Sequence, residues 1–173
     1  IITRWSSKLL GMINTVVLAR ILSPEDFGIV AMATIVITML DSMTQIGVHL
    51  YVIRQKEDDP RVFNTGWTVN LIQALIIALF LVISAPWVAV FFGEEAVTNI
   101  IYCLAIIKVI NGLENFGIYI AQKQLNFNFD FRLTLYTRLS YTIATIGFAI
   151  WLESYWAIIW GQFISVSVGF MLS

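Results

Sequence analysis

Apolar segments about 20 residues long or longer follow one another along this chain, separated by short polar breaks. That recurrence restricts the fold more than any other feature. A helix of about 20 apolar residues crosses the hydrocarbon core of a bilayer. The segments run over about 1–19, 27–53, 66–92, 97–121, 133–152 and 155–173. They are far longer than the roughly 10-residue strands of a membrane barrel, so they read as helices. Composition agrees. The chain is 59% hydrophobic and 12% charged, with a mean hydropathy of +0.84, whereas a soluble domain is about a quarter charged. The expectation is an all-α polytopic membrane protein, with six transmembrane helices forming one transmembrane domain over residues 1–173.

The breaks carry turn chemistry. In Ser23-Pro24-Glu25-Asp26, proline stands at a helix start with acids in the first turn. Gly93-Glu94-Glu95 supplies a C-terminal glycine and then acids opening the next helix. Asp58-Asp59-Pro60 and Leu125-Asn126-Phe127-Asn128-Phe129 read as longer breaks, the second as an interfacial segment. Basic residues collect on one side of the expected topology: Arg4, Lys8, Arg54, Lys56, Arg61, Lys123, Arg132 and Arg138. The opposite side has Arg20 with Glu25, Asp26, Glu94, Glu95 and Glu153. The positive-inside rule then puts the N-terminus and the loops at 54–65 and 122–132 in the cytoplasm. Trp5 and Trp67 fall at the inner boundary, and Trp87, Trp151 and Trp156 at the outer one. The chain opens and closes inside apolar segments and is expected to be a piece of a longer membrane protein.

Much chemistry is unsupported by the residue pattern. The single cysteine, Cys103, allows no internal disulfide and no cysteine-based metal site. No phosphate-cradling glycine loop, Ser/His/Asp arrangement or His/Glu metal spacing occurs, and no loop has room for a soluble catalytic domain. No catalytic residue, metal, cofactor or nucleic-acid partner is expected, and the chain reads as a non-enzyme.

What does point to function is polarity inside the spans. Thr34, Thr38, Asp41, Gln45 and His49 recur at helical spacing in the second, and Lys108, Asn111, Asn115 and Gln122 in the fourth. The third offers Asn70, Gln73 and Ser84; the fifth Arg138, Tyr141 or Thr142, and Thr145. The sixth offers Gln162, Ser165, Gly169 and Ser173; the first Ser7, Gly11 and Asn14 or Thr15. Small and polar residues line helix interfaces in any membrane bundle, which accounts for many of these. Asp41 and Lys108 fit that account less well, because a charge at mid-bilayer costs about 2.5 kcal/mol or more. They either pair, or face a wet cavity, or both. Lys108, Asn111, Asn115, Arg138, Arg20 and Gln73 are the candidate cavity-lining side chains, with Asp41 the acidic charge beside them. Arg20 has an equally simple reading as a side chain reaching to the outer interface.

The stretch ARILSPEDFGIVAMATIVITML resembles the N-terminal signature of bacterial polysaccharide flippases, the O-antigen and exopolysaccharide branch of the multidrug/oligosaccharidyl-lipid/polysaccharide exporter superfamily. Ala19, Arg20, Ser23, Pro24, Glu25, Asp26, Phe27 and Gly28 carry the likeness, with weaker echoes at Gln45-Ile46-Gly47, Asn64-Thr65, Ala85-Pro86 and Phe91-Phe92-Gly93. The resemblance implies two six-helix lobes, with this chain as the N-terminal lobe and the C-terminal lobe missing. It further implies alternating access in the bacterial cytoplasmic (inner) membrane, serving surface polysaccharide synthesis such as lipopolysaccharide or exopolysaccharide. The implied partners are a polyprenyl-pyrophosphate-linked oligosaccharide, which the cavity-lining candidates would bind as substrate-binding residues, and membrane lipid, and the resemblance makes Asp41 the candidate ion-coupling group. A small-molecule or drug exporter of the same superfamily, a membrane-embedded glycan-assembly enzyme and a non-transporting scaffold are the competing readings.

Overall fold

The computed structural model describes residues 2–44, 60–113 and 127–172, and every element within them is helical. In chain order these are α1 (Ile2–Ile21), α2 (Pro24–Thr44), α3 (Pro60–Phe92), α4 (Ala96–Leu113), α5 (Phe127–Leu152) and α6 (Trp156–Leu172). Two of them, over Thr65–Phe92 and Ala96–Leu113, are long and apolar enough to cross a membrane.

Three boundaries differ from expectation. Hydropathy starts the third span at residue 66, but α3 begins at Pro60; proline is well suited to the first turn, where its missing N–H costs nothing. The 125–129 stretch reads as a break, yet α5 is already helical at Phe127. The alternation of polar and aromatic residues there is a local pattern, and it does not prevent the backbone from joining the helix behind it. The second span begins at Pro24, three residues before the expected start. Residues 1, 45–53, 114–121 and 173 of the expected spans lie outside the described residues, as do His49 and Gln122.

The three described turns end their helices by recognisable means. At α3, Gly93 takes φ +73°, its N–H donates to Val90 O (3.3 Å), and Glu94 N–H donates to Ala89 O (3.1 Å). This is the Schellman arrangement, in which a left-handed residue lets two orphan carbonyls be satisfied. At α5, Glu153 takes the equivalent place with φ 46°, and its N–H donates to Ala149 O (3.0 Å). A side chain there carries a steric cost of about 1 kcal/mol that glycine avoids. At α2, Ser23 caps the helix: its Oγ accepts from Asp26 N–H (3.1 Å), while Asp26 Oδ2 accepts from Ser23 N–H (3.1 Å) and Ser23 Oγ–H (2.6 Å). This reciprocal box satisfies otherwise orphaned donors. Asp26 also reaches across the bundle, where its Oδ1 accepts from Tyr155 N–H (3.0 Å) in the α5–α6 turn.

The helices pack as two groups. α2, α3 and α4 contact one another, α5 packs against both α1 and α6, and α4 meets α6 between the groups. The apolar core lies toward the end holding the three turns, with Leu22, Val30, Ala33, Leu81, Ala85, Val97, Ile101, Ala149 and Ile158 buried there. Two pairs of helices approach closely where a side chain is missing. A Cβ at Gly112 on α4 would overlap that of Ala74 on α3, and one at Gly161 on α6 would overlap Thr145 on α5. The outer surface is oily: Ile76, Leu79, Ile83, Trp87, Val90 and Phe91 of α3 are exposed, as are Met12 and Ile13 of α1.

Candidate functional site

Away from the three turns, the buried surface becomes polar. Lys108 of α4 and Asp41 of α2 meet there, with Lys108 Nζ 2.5 Å from Asp41 Oδ1. Their side chains are 22% and 34% exposed, so the pair is neither sealed in the core nor free in solvent. Packing of α2 against α4 brings them together. Asp41 lies about 26 Å down α2 from Pro24, and Lys108 about 18 Å down α4 from Ala96, at 1.5 Å per residue. The residues before Asp41 on its helix spend their hydroxyls locally: Thr34 donates to Val30 O (2.7 Å) and Thr38 to Thr34 O (2.9 Å). That part of the stripe is backbone-bonded, whereas Asp41 reaches another helix.

Lys108 also lines a small cavity of about 70 Å³ with Asn70 and Gln73 of α3 and Asn111 of α4. Asn70 Nδ2 donates weakly to Gly112 O (3.5 Å), beside the Gly112–Ala74 close approach. Asn111 has a second role. It lines, with Ile107, a larger cavity of about 470 Å³ where α4, α5 and α6 meet. α5 contributes Thr137, Arg138 and Tyr141; α6 contributes Gln162, Ser165 and Val166. Asn111 therefore stands between two neighbouring spaces, one lined by Gln73 and Lys108 and the other by Arg138 and Gln162.

The charges in this lining are unequal. Lys108 is offset by Asp41, whereas Arg138 forms no ion pair among the described residues. Among the described residues, the two cavities thus hold one ion-paired cation, Lys108, and one without an ion-pair partner, Arg138. Some of its polar groups are already engaged: Ser165 Oγ donates across helices to Thr137 O (3.0 Å), and Thr137 Oγ1 to Leu133 O (3.0 Å). Amide side chains at Asn111 and Gln162 offer both donors and acceptors.

The sequence-derived candidates separate accordingly. Lys108, Asn111, Gln73 and Arg138 line two neighbouring cavities that share Asn111, and Asp41 stands beside them through Lys108. Arg20 does not join them. It is exposed on the last turn of α1, at the opposite end of the bundle, and lines neither cavity. Asn115 lies outside the described residues. Gln162 and Ser165 belong to the polar stripe of the sixth span, yet nothing in that stripe marks them as site residues. Thr137 escapes the sequence reading altogether. Its four-residue spacing to Tyr141 is the signal that could have found it. Of the alternatives on α1, Asn14 is buried and Thr15 is exposed. Asn14 Oδ1 has no hydrogen-bond partner among the described residues. Among the described residues no cluster of His, Cys, Asp and Glu could hold a metal ion.

Comparison with known proteins bears on the same region. The succinoglycan biosynthesis transport protein ExoT of Rhizobium meliloti (strain 1021) is 28% identical over 148 residues, covering 82% of this chain and 30% of that protein. The chain thus spans about a third of the length of the curated relative it matches. No solved structure matches. The sequence profile of the family described as "Polysaccharide biosynthesis protein" matches residues 17–173, from the end of α1 through both cavities. The chain belongs to that polysaccharide biosynthesis family.

Proposed function

We propose that this chain is the N-terminal six-helix lobe of a flippase. In this reading, the whole protein carries polyprenyl-pyrophosphate-linked oligosaccharide across the bacterial cytoplasmic membrane by alternating access, with the N-terminus cytoplasmic. The observation that carries the proposal is the 470 Å³ cavity with Arg138, Asn111 and Gln162 in its lining, set into an otherwise apolar bundle. An interface serving only to hold helices together would close on its polar groups. This one leaves a space within the size range of small-ligand sites and a cation with no ion-pair partner among the described residues. A lipid-linked saccharide presents the complementary chemistry. Its diphosphate suits a guanidinium, which binds phosphate through paired N–H donors. Its hydroxyls suit Asn and Gln. Its polyprenyl tail can stay in the bilayer against the exposed apolar faces of α1 and α3. The name of the relative, a transport protein of succinoglycan biosynthesis, supports transport in preference to chemistry. The remaining helices of the whole protein would complete the path.

The test uses the full-length protein in a host that makes a surface polysaccharide. Deleting the gene should leave lipid-linked repeat units on the cytoplasmic leaflet. Restoring it with Arg138→Ala should return the protein to the membrane but leave transport roughly 10- to 100-fold down, the worth of a charge-assisted phosphate contact. Arg138→Lys should recover part of it. Normal appearance of repeat units in the outer leaflet after deletion would refute the flippase; full activity of Arg138→Ala would refute the cavity assignment.

A further inference from the structure

We propose that Asp41 is an internal competitor for the anion site: it occupies Lys108 while the cavity is empty and yields Lys108 to the anionic group of the substrate when the cavity fills. This deepens the reading above and rests on it.

Four observations converge. The Asp41–Lys108 pair joins two helices, α2 and α4, so it is a tertiary contact with two separable halves. Lys108 is simultaneously a wall of the small cavity that shares Asn111 with the neighbouring Arg138 cavity. An anion held by Arg138 has a second cation in the adjacent cavity, already bound to a carboxylate. Lastly, Asp41 is 34% exposed, so it can be rehydrated when Lys108 leaves. A fully buried carboxylate could not give up its partner so cheaply, because an uncompensated buried charge is strongly destabilising. A lysine suits the exchange better than an arginine would, since its compact ammonium sits on a flexible stem and can turn between acceptors.

The consequence is a specificity rule. The empty lining holds Lys108 neutralised, so only a ligand with enough negative charge to engage Arg138 and displace Asp41 gains the second cation. Neutral sugars and singly charged groups gain less. Asp41 is thus a positioning residue for Lys108, acting on affinity through its neighbour. By linkage, whatever anion weakens the pair is itself weakened by the pair to the same degree.

The experiment uses the full-length protein in detergent, with inorganic pyrophosphate and inorganic phosphate as probes. In the wild-type chain a carbodiimide should join Asp41 to Lys108 as a zero-length amide, seen by mass spectrometry as an α2–α4 cross-linked peptide. Saturating pyrophosphate should suppress that cross-link at least about fivefold, and phosphate much less. An unchanged yield with pyrophosphate bound overturns the exchange. Asp41→Asn should tighten pyrophosphate binding roughly 2- to 5-fold, the range expected for removing a partly exposed pair, and the gain should vanish in a Lys108→Gln background. The same gain with Lys108→Gln present would mean a general field effect and would also overturn it. If Asp41→Asn fails to fold, the wild-type cross-linking still decides. Failure of the wild type to bind pyrophosphate at all would instead remove the anion site on which the exchange rests. Normal outer-leaflet delivery in the deletion host would refute the flippase reading separately.

Discussion

Removing the Asp26 carboxylate should loosen the bundle far more than an acid in a surface turn ordinarily would. Its two oxygens accept from three donors: Ser23 N–H, Ser23 Oγ–H and, across the bundle, Tyr155 N–H. The two Ser23 donors are exposed, so water can replace the carboxylate there, and their loss costs about 0.5–1 kcal/mol together with the lost interaction at the helix N-terminus. The Tyr155 N–H is part-buried, and leaving such a donor unpaired costs about 1–3 kcal/mol. Asp26→Ala should therefore destabilise the fold by about 2–3 kcal/mol. Asp26→Asn, which keeps one acceptor oxygen, should cost about half as much. Glu25→Ala, one residue earlier and exposed, serves as the control and should fall within about 0.5 kcal/mol of wild type. The assay is reversible unfolding of the full-length protein in detergent, paired with amide exchange at Tyr155, whose N–H should lose protection in Asp26→Ala alone. If Asp26→Ala matches Glu25→Ala in stability and the Tyr155 amide stays protected, the carboxylate does not tie the two turns together and the reasoning fails.

Other substitutions probe separate parts of the structure. Gly161→Ala would drive a methyl against Thr145, whose Cβ would lie at 2.9 Å and Cα at 3.1 Å. It should cost about 1–3 kcal/mol in unfolding measurements, and adding Thr145→Ala should recover part of that. Glu153→Gly should stabilise by about 0.5–1 kcal/mol, because glycine takes the φ 46° conformation without the clash of a Cβ; a loss of stability would contradict the assigned turn. Arg20→Ala should leave transport within about twofold of wild type, set against the large loss for Arg138→Ala, since Arg20 is at the far end of the bundle. That contrast is read directly from the rate of repeat-unit delivery.

Local pattern is enough to set the helices and to supply most of the site's ingredients. Apolar runs of this length have one economical way to satisfy their backbone, which is to hydrogen-bond within a helix, so the helices of the described residues are legible from hydropathy and turn chemistry. Polar positions at helical spacing are legible too, because a charge or amide in such a run is costly and stands out. Lys108, Asn111, Gln73 and Arg138 declare themselves on that ground, and the fold sets them in the linings of two neighbouring cavities. Which polar residues meet is not legible. Asp41 and Lys108 are 67 residues apart, and spacing along one helix says nothing about rotation or depth against another. Arg20 shows the same limit. It shares its charge with Arg138 but sits at the other end of the bundle. The Pro24 turn makes the point most sharply. Sequence marks Asp26 as a helix-opening acid, a local role set by the four residues around it. Only the packing of α1–α2 against α5–α6 gives its second oxygen to Tyr155, since a contact across 129 residues depends on how helices lie together in space and leaves no trace in local spacing.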